Sequence, residues 1–142
     1  MDPLAPHIEK RILESFARQK LMTAYGATVT GVAHGYMAIT VPPKDFLLRT
    51  SGIFHGGVIA AIADTAAGYA AGTLHTADAS FLTIEFKINF LNQAKGEQLI
   101  AKARILKGGK TLTIAQTDVF TEDDHIEKHV ATAIVTLMKA NT

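Results

Sequence analysis

From Gly56 to Gly72 the chain is helix-compatible and apolar on every side: Val58, Ile59, Ile62, Tyr69 and a run of alanines leave no polar face. A helix of that kind is enclosed by protein rather than laid on a surface. Side chains this small let a sheet wrap closely around it, and Gly72 is placed to end it. Asp64 interrupts the stretch and alanine and glycine dominate it, which makes poor material for a membrane span. Whatever encloses this helix comes from the rest of the chain.

The rest alternates. Leu82, Ile84, Phe86, Ile88 and Phe90 are apolar, with Thr83, Glu85, Lys87 and Asn89 between them, the period of a half-buried strand. Leu99, Ala101, Ala103 and Ile105 repeat the pattern, Gly108-Gly109 turns the chain, and Lys110–Phe120 follows with Leu112 and Ile114 on one face. Thr121–Asp124 is the next turn. The last strand, His125–Met138, sets Ala131, Ala133, Val135 and Leu137 on one face. Before the helix, Ala27–Val32 and Gly35–Val41 read as two short strands, and Pro42-Pro43 opens a loop because proline cannot donate to a ladder. The order predicts an α+β domain in which a curved antiparallel sheet wraps one long buried helix.

An amphipathic pattern through Ile8, Ile12, Leu13, Phe16, Leu21 and Ala24, entered through Pro6, predicts an extra N-terminal helix. Residues 1–24 are read as this accessory helix and 25–142 as the main body of the same domain. The total of 142 residues fits one domain. Fourteen basic against thirteen acidic residues, a net charge of +1, give no bulk electrostatic case for nucleic acid. The absence of cysteine excludes disulfides, thiolate catalysis, zinc fingers and iron–sulfur clusters. The first residues lack a basic region and an apolar region of signal type, so a cytoplasmic protein with no membrane association is expected.

Asp64 is the anomaly. An unpaired carboxylate among apolar residues is costly; it is either a capping or backbone-bonding group or a general base or nucleophile in a cleft. Eight helix-compatible residues precede it, which counts against a cap. His55-Gly56-Gly57 opens the same helix, and backbone N–H groups at a helix start can hold an oxyanion. Arg49 is a cation near that entrance. Lys107–Thr111 lacks the upstream glycine of a phosphate-binding P-loop, so a hairpin turn is the plain reading. His125 and His129, on a strand, lie about 13 Å apart and cannot share an ion; no metal site is expected.

The stretch Gly52–Ala66, with its His-Gly-Gly and an Asp nine residues after the His, resembles the hotdog-fold acyl-CoA thioesterases. The branch it is most similar to is the phenylacetate-degradation (PaaI-like) and 4-hydroxybenzoyl-CoA-thioesterase-like group. The resemblance spans about Gly35 to Met138 and includes Gly109–Leu112 and the strand from Thr83.

It implies that Asp64 activates water or attacks the thioester carbonyl, and that the Gly56 N–H polarises the carbonyl oxygen. It implies further that Thr83, from a partner subunit, orients water, and that Gly57 and the turn Gly108, Gly109, Lys110 and Thr111 contact substrate, the turn meeting the coenzyme A nucleotide. Relatives carry Asn or Gln where this chain has Arg49, which is then a candidate for gripping the carbonyl. His55 is expected to serve the turn. The resemblance implies an acyl-CoA substrate with coenzyme A as part of it, no separate cofactor, and dimers paired edge to edge that assemble to a homotetramer. Pocket depth is assigned to Tyr69, Phe81, Phe90 and the loop Pro42–Phe54. Two alternatives stand beside hydrolysis: a hydratase or dehydratase on the same fold, and a non-catalytic acyl-CoA-binding module.

Overall fold

The computed structural model describes residues 1–76 and 80–140. One six-stranded antiparallel sheet runs in the order β1-β2-β4-β5-β6-β3. Its strands are β1 (Thr28–Ala33), β2 (Tyr36–Val41), β3 (Ser80–Phe90), β4 (Gln98–Gly108), β5 (Leu112–Asp123) and β6 (Ile126–Ala140). Helix α3 (Gly56–Gly72) lies against one face of it, with α1 (Pro6–Ala17) and α2 (Lys20–Tyr25) preceding the sheet.

The core lies between α3 and the inner face. Val58, Ile59, Ile62, Ala63, Ala66, Ala67, Ala70 and Ala71 are buried against inner rows that include Leu99, Ala101 and Ala103 of β4 and Ala131, Ala133, Val135 and Leu137 of β6, the rows the alternation predicted. On β5 the inner row is Thr113, Ala115, Thr117, Val119 and Thr121, all buried, whereas Leu112 and Ile114 lie on the other face. The Thr117 hydroxyl satisfies itself on the helix, donating to the Ala63 carbonyl at 2.8 Å, as a buried polar group must.

Four expectations need correction. The N-terminal helix is broken at Arg18 and Gln19, where Gln19 is extended. Ile8, Ile12 and Phe16 bury one stripe of α1. Past the break, α2 buries Met22 and Tyr25. Gly72 is not a left-handed terminator, since the helix is capped by Thr73 in right-handed geometry. A Cβ on Gly72 would come within 3.2 Å of Ile12 Cδ1, so the glycine admits α1. Finally, β5 runs on through Asp123, and the turn to β6 is Asp124-His125, both with positive φ, as a tight two-residue hairpin requires.

Nor is α3 enclosed on all sides. Ala60, Ala61, Asp64, Thr65, Gly68 and Tyr69 are only half-buried. They recur every three to four residues and so form one open face. Among the described residues, no helix is long and apolar enough to cross a membrane.

Candidate active site

Asp64 sits on that open face, and among the described residues its carboxylate has one side-chain partner: Thr83 Oγ1 donates to Asp64 Oδ1 at 2.5 Å. The contact depends on a bulge in β3. Thr83 pairs with Leu137 of β6 but Glu85 pairs with Thr136, leaving Ile84 as the extra residue. On the far side of the bulge Phe86, Ile88 and Phe90 lie opposite Val135, Ala133 and Ala131, the buried row of β6. Thr83 lies opposite Leu137 of that same row. One inserted residue therefore brings Thr83 onto the helix side of the sheet together with Phe86, where strict alternation would separate them. The resemblance draws Thr83 from a partner subunit; within this chain Thr83 meets its own Asp64.

Asp64 and Thr83 line a cavity of about 330 Å³. Its walls are Thr65, Gly68, Tyr69 and Gly72 of α3, Ser80, Phe81 and Leu137 of the sheet, and Arg11, Ile12 and Ser15 of α1 with Gln19 just beyond it. Tyr69 and Phe81 are thus where pocket depth was expected. Phe90 and the loop Pro42–Phe54 do not line it. The residues that sequence reasoning passed over are those of α1, whose polar positions Arg11, Ser15 and Gln19 recur at four-residue steps beside the buried stripe. That spacing was a readable signal of a second occupied face.

The entrance of α3 is organised by His55. Its Nδ1 accepts from the Gly57 N–H at 2.9 Å, and its carbonyl accepts from Val58 and Ile59 at 3.0 and 3.2 Å. His55 is the N-cap, as expected of a residue serving the turn. A Cβ on Gly57 would stand 3.1 Å from that Nδ1, so Gly57 is small to let the cap close. With those three donors engaged, the Gly56 N–H is the donor left at the helix start with no partner among the described residues.

Gly56 and Asp64 are nevertheless eight residues apart on one helix, about 12 Å along its axis. Within one chain they cannot meet at one carbonyl. Arg49 lies exposed in a tight turn whose N–H bonds the Ile53 carbonyl at 2.8 Å, outside the Asp64 cavity.

The turn Gly108–Thr111 joins β4 to β5 at the other end of α3. Gly109 donates to the Leu112 carbonyl at 2.8 Å, and a Cβ on it would collide with that same oxygen. Lys110 and Thr111 are exposed. These residues are also apart from the Asp64 cavity. Among the described residues, no group of three or more His, Asp or Glu side chains is placed to hold a metal.

An antiparallel sheet wrapped on one long helix is the hotdog arrangement. The sequence model of the thioesterase superfamily matches residues 51–128, and the chain belongs to that superfamily. A thioesterase family protein from Silicibacter pomeroyi superposes with a TM-score of 0.91 at 36% identity, over 95% of this chain and 99% of that one. The PaaI protein of the Escherichia coli phenylacetic acid degradation operon shares the fold at a TM-score of 0.84 and 18% identity, over 97% of this chain and 96% of its own. A Streptococcus mutans protein solved bound to acetyl-CoA shares it at 0.72 and 22%, over 82% and 90%.

Proposed function

We propose that this protein is an acyl-CoA thioesterase in which Asp64 drives hydrolysis. The observation that carries the reading is the Asp64–Thr83 pair on the wall of a cavity, on a helix otherwise built from apolar and small residues. Membership in the thioesterase superfamily supports it, as does the relative bound to acetyl-CoA.

In the reaction, a water oxygen attacks the thioester carbonyl carbon while Asp64 takes the water proton. The carbonyl oxygen gains the negative charge and is met by a backbone N–H. The C–S bond then breaks, the carboxylic acid forms, and the coenzyme A thiolate recovers a proton from Asp64. Direct attack by Asp64 gives the same products through a mixed anhydride that water opens. A thiolate leaves readily, so one carboxylate and one oxyanion donor suffice.

The 12 Å between Asp64 and Gly56 is resolved by a second copy. Strand β3 is an edge, with Leu82 at 54%, Ile84 at 52% and Phe90 at 54% exposure. An apolar open edge is a pairing surface. Two chains joined about a two-fold axis at β3 set the helices antiparallel, and each Asp64 then faces the other chain's Gly56. Lys110 and its turn are assigned to the coenzyme A phosphates at the mouth, Arg49 to the acyl carbonyl or pantetheine side, and a homotetramer to two such dimers. A hydratase wants a free His opposite an acid, and His55 is engaged through Nδ1 at the cap.

The test is thiol release from a panel of acyl-CoAs by wild type and Asp64→Asn. Turnover by wild type that disappears in a folded Asp64→Asn variant is the expected result; an unchanged rate in that variant removes the assignment.

A further inference from the structure

The Asp64 cavity has two features that hydrolysis does not use. The first is Gly68, one turn beyond Asp64 on the same face of α3 and part of the cavity wall. Glycine inside a helix is less favourable than alanine, and alanine is the commonest residue of α3. Packing within the chain does not account for it, because a Cβ at Gly68 meets nothing within 4 Å. Backbone geometry does not either, since Gly68 is not among the residues with positive φ. A methyl group there would project into the cavity. What the glycine preserves is room.

The second is a pair of hydroxyls. Ser15 Oγ of α1 and Tyr69 Oη of α3 lie 3.0 Å apart, both on residues lining the cavity. Two hydroxyls hold two hydrogens, and their mutual bond uses one. One O–H and several lone pairs remain, and neither hydroxyl has another partner among the described residues. The wall that carries Ser15 is anchored: Arg11 Nη2 donates to the Gly72 and His75 carbonyls at 2.8 and 3.0 Å, and the Phe16 and Tyr69 rings meet edge-on at 5.7 Å. Tyr69 is five residues past Asp64, about 7.5 Å along the helix, with Gly68 between them.

We propose that the acyl group runs from the carbonyl at Asp64 across Gly68 to the Ser15–Tyr69 hydroxyl pair, so that Ser15, Gly68 and Tyr69 determine specificity. The preferred substrate is a compact acyl group bearing an uncharged hydrogen-bonding oxygen at its far end. This rests on the thioesterase reading above. A cavity of about 330 Å³ is at the small end of ligand pockets, and at about 30 Å³ per water-sized group it takes on the order of ten. A plain alkyl end would bury the free O–H without a partner, which costs binding.

The test compares acetyl-, hexanoyl- and 6-hydroxyhexanoyl-CoA by thiol release, and measures binding of the same three by calorimetry in the Asp64→Asn background. Wild type is expected to favour 6-hydroxyhexanoyl over hexanoyl by roughly tenfold in kcat/KM, the scale of one hydrogen bond. Tyr69→Phe and Ser15→Ala bring that ratio toward one. Gly68→Val lowers the hexanoyl-to-acetyl ratio by about tenfold or more, the scale of one misfitted side chain, while Gly68→Ala raises Tm. Equal losses on all three thioesters in Gly68→Val, or an undiminished hydroxyl preference in Tyr69→Phe, overturn the proposal. The binding arm separates the two readings. No thiol release with the length and hydroxyl pattern kept in binding removes the thioesterase and leaves the channel; a flat binding pattern removes the channel.

Discussion

Thr83 Oγ1 reaches Asp64 Oδ1 at 2.5 Å because Ile84 is bulged out of register between them and the rest of β3. The bond gives the carboxylate a fixed orientation and leaves its second oxygen for water. A hydrogen bond to a charged group is worth about 1.5–3 kcal/mol, so losing it costs about one to two orders of magnitude if it is made in the transition state. Thr83→Val is therefore expected to lower kcat by roughly 10- to 100-fold, and Thr83→Ser to recover most of it. Steady-state kinetics on the three proteins checks this; a Val variant at wild-type kcat shows the bond to be structural only.

His55 holds the start of α3 and leaves Gly56 free. Removing an N-cap costs about 1 kcal/mol, so His55→Ala should lower stability by about that amount, and His55→Asp, another good cap, should restore it. Urea unfolding gives the comparison. If His55 were the acid or base of a hydratase, His55→Ala would abolish turnover at unchanged stability.

His75 follows α3 and packs its ring against Phe81 at 5.3 Å. Burial first, then the charges of Lys139 and Arg11, push its pKa below the ordinary 6.5. The folded protein thus binds fewer protons here than the unfolded chain, and stability rises with pH across that interval. The contribution of neutral His75 is complete above pH 6.5 and erodes as pH falls below it toward the folded pKa. His75→Gln should lose less stability than wild type between about pH 7.5 and about pH 5.5, a window that brackets the unfolded pKa. Parallel losses in the two proteins would refute the assignment.

The elements were legible where one physical signal dominated. Alternation located the inner rows of β4 and β6, and uniform apolarity located α3 over its observed span. It failed where two demands competed. On β5 threonine and alanine fill most of the inner row, so Leu112 and Ile114 lie on the other face and the apolar pattern inverts. On β3 a single bulge reverses parity at Ile84, and no composition rule marks it. Ala60, Ala61 and Gly68 on the open face of α3 are small residues that look the same in sequence whether they face a core, a cavity or a second chain. Asp64 stood out as an anomaly for this reason. Gly68, which carries no charge, did not.

The proposed two-chain site makes a prediction that a one-chain site cannot. Gly56 is the first residue of α3, where proline is tolerated because that N–H has no helical partner. His55 at φ −65° and ψ 139° already has the extended geometry a following proline needs. A Cβ on Gly56 meets the Phe90 ring at an ordinary 3.5 Å. Gly56→Pro therefore deletes the oxyanion donor and little else, and it should lower kcat by about 10²–10³-fold. Asp64→Asn alone is also inactive. When the two inactive proteins are unfolded together and refolded, each mixed dimer has one site that takes Gly56 from the Asp64→Asn chain and Asp64 from the Gly56→Pro chain. That site is intact and its twin carries both lesions. Random pairing makes half the dimers mixed, so thiol release should return to about a quarter of the wild-type rate. If Gly56 and Asp64 of one chain served the same carbonyl, every site in the mixture would carry one lesion and no activity would return.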